Sequence, residues 1–431
     1  MKFCGRWSRL LSVLIVWCVY GEGPIELTLT PQAYQALGVL VAVDTASEGV
    51  RCAHVAPFVA HMLNHGDQVH AEVREMSIPS TVSQMKDLAQ TGFPLAIFLS
   101  YQNGEFFWRL YDLLTLQLIK GKKLSAPGFT DQECAVHIAT QLWKELMSQD
   151  HSFDSLIAAC KKMPSKGRAR HALYLVHPFL SQSDFAPRML VDQGNNFAPR
   201  WHGRERSIFY SHHMPTNIRL MSVAADRHQN IITDFEGQNM TPTFAPDGKI
   251  ALALSIHGGV QLFLYQYDEI DKKKIFVPIT SEKISCISPS FIDNDTLVFC
   301  NIDELNRPRL GIFTLSSKKI RWLPVGRATC PMVSPDRATI AYCKKVNGVA
   351  QLFTYTIASG ADRQITHDNT HKDECSWSPC GNYVVCGAES GSNSRIALVT
   401  VATGHVNFIT PANEFWSSPC WSPRLTLPFG F

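Results

Sequence analysis

With 431 residues, 45% of them hydrophobic and 18% charged, the chain can bury more than one core and is too apolar to be a disordered tail or a low-complexity array. A net charge of +3, from 40 Lys and Arg against 37 Asp and Glu, is small and scattered. It excludes the concentrated basic footprint of a nucleic-acid or anionic-membrane binder and leaves proteins or small molecules as partners.

In chain order, Lys2, Arg6 and Arg9 precede an apolar run over 10–20, and the small residues Gly21 and Gly23 follow. The run is shorter than a bilayer span, so residues 1–23 read as a secretory signal peptide, with a short membrane anchor as the alternative. Cys18 lacks the small residue that precedes a lipidated cysteine, and no lipoprotein is expected. The segment Ile25-Glu26-Leu27-Thr28-Leu29-Thr30 alternates apolar and polar residues. It can add as a strand to its own domain or to a partner's sheet edge.

Residues 24–152 read as a small α/β domain. The continuous apolar run Gly38–Val43 suits a buried strand, and Val55–Leu63 a helix. Leu95–Leu99 and Phe106–Tyr111 flank Gln102-Asn103-Gly104, a hairpin signature. Asp131 can cap a helix in which Ala135, Ile138, Ala139, Leu142 and Leu146 recur at helical spacing. Residues 153–170, ending in the basic run Lys161–Arg168, read as a linker that is helical at first.

From residue 171 onward a repeat takes over. Its core is Pro, one residue, an aromatic or apolar residue, then a turn of the Ser/Ala-Pro-Asp-Gly type. The key positions Trp201, Phe244, Phe291, Val333, Trp377 and Trp421 lie 43, 47, 42, 44 and 44 residues apart. Units of this length predict four-stranded blades. One copy spells out all four: Cys330–Val333, then Ala338–Cys343 after a Ser334-Pro335-Asp336 turn, then Gln351–Ile357 after Asn347-Gly348, then Asp362–Thr366. Only ten residues follow Trp421. The unassigned strand patterns Ala172–Val176 and Pro187–Val191 are therefore expected to complete the last blade. The expected fold is an α/β N-terminal domain followed by an all-β six-bladed β-propeller over 171–431, closed by sharing one blade between both ends. The shared aromatic positions are expected to pack between adjacent sheets.

Of 13 cysteines, 11 lie beyond the apolar leader, an odd number without zinc spacing. They read mainly as small buried hydrophobes, with Cys330 and Cys343 as the best-placed pair for a disulfide. His61 and His65, one helical turn apart, could hold a metal, but Met62 stands where the catalytic version needs Glu, and solvent-facing histidines are the preferred reading. Asp293-Asn294-Asp295 reads as a turn rather than a calcium loop, because no loop glycine follows. No Gly-x-Ser-x-Gly elbow is present, which argues against the hydrolases that carry similar propellers. No catalytic residue, metal or cofactor is expected; a hydrolase or small-molecule-binding enzyme using the channel is the alternative.

Loops leading from each outer strand to the next inner strand converge on one mouth of the channel. Here they hold Asn195, Gln238, Asn239, Thr241, Ile287, Arg327 and His371. These are mainly polar, which suits a folded protein surface better than a buried ligand. The hairpin at Asn347 is expected on the opposite rim.

The leader, the α/β domain and six motifs ending in Trp421-Ser422-Pro423-Arg424-Leu425 together resemble the TolB family of periplasmic propellers over essentially the whole mature chain. Two repeats depart from the family pattern, at Trp201-His202-Gly203 and Ile292-Asp293-Asn294. The resemblance implies a monomeric, non-enzymatic periplasmic adaptor that supports outer-membrane integrity and envelope constriction at division. It implies two partners: the peptidoglycan-associated lipoprotein (Pal) on the propeller, at loops that include Gln238, Thr241 and Ile287, and TolA at the mature N-terminus, at Ile25, Leu27 and Leu29.

Overall fold

A computed structural model describes residues 36–429 except 45–49, 66–67, 165–166, 168–169, 204–205, 257–258, 269–272 and 282–284. The expected signal peptide and the segment Ile25–Thr30 lie outside the described residues.

The first layer is a mixed sheet. β1 (Leu37–Asp44) runs parallel between β2 (Val69–Met76) and β3 (Leu95–Gln102), and is covered on both faces, as its unbroken apolar run requires. Val39, Val41 and Val43 face α1 (Val50–Leu63) and α3 (Asp131–Met147), while Leu40 and Ala42 face α2 (Val82–Ala89). Asn103 and Gly104, both at positive φ, turn β3 into β4 (Glu105–Asp112), and β5 (Gln117–Ser125) completes the order β2-β1-β3-β4-β5. The cap of α3 is Thr130 rather than Asp131: its hydroxyl accepts from the Glu133 N–H, and the Glu133 carboxylate accepts from the Thr130 N–H. Asp131 instead pairs with Arg51 of α1 at 3.0 Å.

The rest of the chain forms six four-stranded blades. Blades 1 to 5 begin on the inner strands Asn196–Trp201, Asn239–Phe244, Ser285–Phe291, Ala328–Val333 and His371–Trp377. Each inner strand shifts register against its neighbour at the same place, as does the inner strand of blade 6 (Trp416–Trp421). At that bulge Ala198, Ser288, Cys330, Glu374 and Ser418 sit at φ of 48 to 53°. A left-handed non-glycine residue costs about 1 kcal/mol, and here it coincides with the bulge that bends each inner strand.

Blade 6 is shared, and it corrects the sequence reading. Trp416–Trp421 pairs with Ile157–Met163, which pairs with Arg170–Val176, which pairs with Arg188–Val191. Residues 157–163 are thus a strand inside the segment read as a linker. Ala158, Ala159 and Cys160 are fully buried within a sheet covered on both sides, so they show no alternation, and their small side chains mimic a helix.

The motif residues lock one blade to the next. Trp201 Nε1 donates to Cys420 O and Trp377 Nε1 donates to Met332 O, both 3.0 Å, each reaching the preceding blade. Hydroxyls do the same in reverse: Thr243 accepts from Phe291 N, Ser290 from Val333 N, and Ser376 from Trp421 N. The expected pair of Cys330 with Cys343 does not form. The ladder places Thr329 opposite Cys343, and Cys330 turns to Asp373 Oδ1 at 3.1 Å.

Candidate partner-binding mouth of the propeller channel

The two ends of the channel differ. At the end where inner strands finish, the propeller meets the α/β layer. Cys380 N donates to Ser152 Oγ, and His151 Nε2 lies 3.1 Å from Tyr383 OH inside a cluster of Trp143, Phe153 and Phe179. His65, weighed as a metal ligand, packs edge-on against Phe179 instead. Among the described residues no group of three His, Cys, Asp or Glu has metal-binding geometry. Asp293 accepts from Asp295 N, Thr296 N and Thr296 Oγ1, which makes that stretch a turn.

At the other end, where inner strands start, lie the residues singled out in sequence. Gln238, Arg327 and His371 are exposed there. Asn195 is half-buried, its Oδ1 2.6 Å from His171 Nδ1, and Ile287 is half-buried beside the core between blades 3 and 4. Asn239 is fully buried: its amide donates to Ile218 O and Phe235 O and accepts from Phe235 N. It therefore shapes the loop instead of offering a side chain to a partner. The Thr241 side chain lies outside what the structure describes.

The Asn347 hairpin also lies at this end, contrary to the sequence reading. Ala328 pairs with Lys344, so the second strand returns to the rim where the first began, and Ala350 N donates to His371 Nδ1 at 3.2 Å. The opposite rim is formed by turns such as Ser334–Arg337. Sequence reasoning also missed an aromatic seam between blades 6 and 1. The His171 and Phe197 rings are 4.6 Å apart, as are Phe197 and His213, and Lys162 Nζ stands 5.7 Å from the Phe415 ring. No repeat position marked His171 or His213, which reach the mouth only through the pairing of their strands. Burial lowers the pKa of both imidazoles, opposed at His171 by its Asn195 bond, and this favours uncharged rings.

Arg200, Ser288, Cys330, Met332 and Glu374, drawn from blades 1, 3, 4 and 5, converge on a cavity of about 10 Å³, room for one water at most. Glu374 is half-buried beside this cavity. Desolvation pushes its pKa up, Asp373 and Glu389 add to this, and Ser418 and Arg200 oppose it.

A closed ring of six four-stranded sheets defines a β-propeller. The chain belongs to the TolB beta propeller domain family, whose pattern matches residues 179–425. It is similar to the Tol-Pal system protein TolB of Francisella tularensis subsp. mediasiatica, 26% identical over 238 residues that cover 52% of this chain and 54% of that protein. The counterpart in subsp. holarctica is 25% identical over the same length and shares. The chain spans about half the length of the curated relatives it matches. In fold it is similar to TolB from Acinetobacter baumannii, with a TM-score of 0.75 at 18% identity, over 90% of this chain and 97% of that one.

Proposed function

We propose that this chain is the TolB component of a Tol-Pal system: a non-catalytic periplasmic adaptor that binds Pal at the channel mouth and TolA through Ile25, Leu27 and Leu29, and so supports outer-membrane integrity and envelope constriction. Family membership supports the assignment to the system. The observation that carries the Pal surface is the pair of unlike channel ends: one meets the α/β layer at blades 5 and 6, the other presents Gln238, Arg327 and His371 to solvent beside the His171 and Phe197 rings. Aromatic rings within a polar rim suit a folded protein partner. Among the described residues no helix is long and apolar enough to cross a membrane.

Binding of purified Pal to the full chain is the test. Gln238→Glu and Arg327→Glu should weaken it at least tenfold with melting unchanged, and deleting residues 24–29 should abolish TolA capture without touching Pal. Undiminished Pal binding in both rim variants, or TolA capture by the shortened chain, would overturn the respective site.

A further inference from the structure

Three buried thiols, Cys343, Cys375 and Cys386, and the half-buried Cys330 lie at the seam between blades 4 and 5. On the second strand of blade 4, Ile340 and Tyr342 face blade 3, whereas Ala341 packs with Cys375, Trp377 and Cys386 of blade 5. Side chains alternate along a strand, so Cys343 shares the face of Ala341. Cys343 and Cys375 are each 2% exposed. Cys343 stands opposite Thr329, and Cys375 Sγ lies 3.2 Å from the carbonyl of the next residue, Cys330, so both sulfurs gather beside one stretch of inner strand.

We propose that Cys343 and Cys375 form a disulfide that staples blade 4 to blade 5 when the chain folds in the presence of a disulfide oxidant. In the first exchange a thiolate of one cysteine attacks the oxidant's S–S bond, forming a mixed disulfide and releasing one thiolate of the oxidant. The second cysteine, as thiolate, then attacks the protein sulfur of that mixed disulfide, forming the Cys343–Cys375 bond and releasing the other half of the oxidant as thiol. The two cysteines lose two electrons and two protons, and the oxidant gains them. The neighbouring Cys375 thiol, and then burial, hold the Cys343 thiol well above its ordinary range, so thiolate is scarce once the seam has closed, and the exchange belongs to folding. Occupancy of the bond in the cell rests on the proposed periplasmic location; the pairing itself does not.

The full chain, reduced and unfolded, is refolded with oxidised glutathione, and its cysteine-linked peptides are mapped. Support is a dominant Cys343–Cys375 linkage, a melting temperature that falls on adding reductant, and loss of that fall in Cys343→Ala. A dominant Cys375–Cys386 or Cys330–Cys375 linkage, or no linkage, overturns the proposal. Mapping protein taken from cells is a separate arm: if refolding yields the bond but the cellular protein is reduced, the periplasmic reading fails and the pairing stands.

Discussion

The backbone N–H of Phe429 donates to Glu133 Oε1 at 2.9 Å, tying the last described residue to the first turn of α3. The same carboxylate accepts from Thr130 through Oε2, and Arg188, 3.9 Å from Oε1, also donates to Phe429 O. One buried side chain is thus both helix cap and latch. Glu133→Ala removes both and strands polar groups at a buried site, so we expect a loss of about 2–3 kcal/mol in urea unfolding. Glu133→Gln keeps one acceptor oxygen and sets an amide NH2 against the other donor, so it should lose less than Glu133→Ala but not nothing. Equal losses in the two variants would show that the carbonyl acceptor is not what matters.

Deleting residues from Pro419 onward removes Trp421 and breaks the closing strand, leaving the edge of Ile157–Met163 partly unpaired. The cooperative melt should disappear or fall by well over 10 °C, since several buried aromatic contacts and a sheet edge are lost together. An unchanged melt, followed by calorimetry, would rule out closure through this strand.

Stability should fall on acidification. His177 lies within the core; its Nε2 is 3.0 Å from Phe153 O, and its Nδ1 accepts from the N–H groups of Phe179 and Leu180. Burial, the dominant cause, brings its pKa down to about 3; the Phe153 bond opposes this, and His65 and His61 add to it. The unfolded chain, with an ordinary value near 6.5, binds the proton first. The contribution is therefore complete above about pH 6.5 and is lost as pH falls toward 3, roughly 2 kcal/mol by pH 5. His151 shifts in the same direction, through burial first and then His65 and Arg424. Urea titrations at pH 5 and 7.5 should show this loss, reduced in His177→Gln. A variant with the wild-type pH dependence would place the effect elsewhere.

Glu374 has the opposite sign. Its raised pKa means that the folded state keeps the proton longer, so its contribution is present at low pH and lost as pH rises through the folded value. Glu374→Gln should be neutral or stabilising at pH 7 and should flatten the wild-type profile between pH 4 and 7. A variant less stable at pH 7 than at pH 4, relative to wild type, would mean that the charged carboxylate is a favourable partner of Arg200.

The propeller was legible because its signals are local: a Pro, an aromatic and a tight turn recur within each unit, and Asn347-Gly348 marks its own hairpin. The strand Ile157–Met163 was hidden because its partner is Trp416–Trp421, and a sheet buried on both faces leaves no two-residue rhythm. Rim positions followed from strand order, but the side of the Asn347 hairpin required counting strands around the blade. The His171, Phe197 and His213 cluster depends on pairing between segments far apart in sequence, which no single window contains. Asn239 illustrates a further limit: a polar loop residue looks the same in sequence whether it faces solvent or binds the backbone around it.

The shared blade also imposes an order in time. Ile157–Met163 and its two following strands are made early, yet their fourth strand is among the last residues of the chain. During synthesis five blades can assemble while the ring stays open, with an unpaired edge exposed to other chains until Trp416–Trp421 arrives. Ring closure joins residues more than half the chain apart, a slow step for any fold. A delay at the C-terminus, by truncation or stalling, should therefore yield aggregates of nearly complete propellers rather than soluble intermediates.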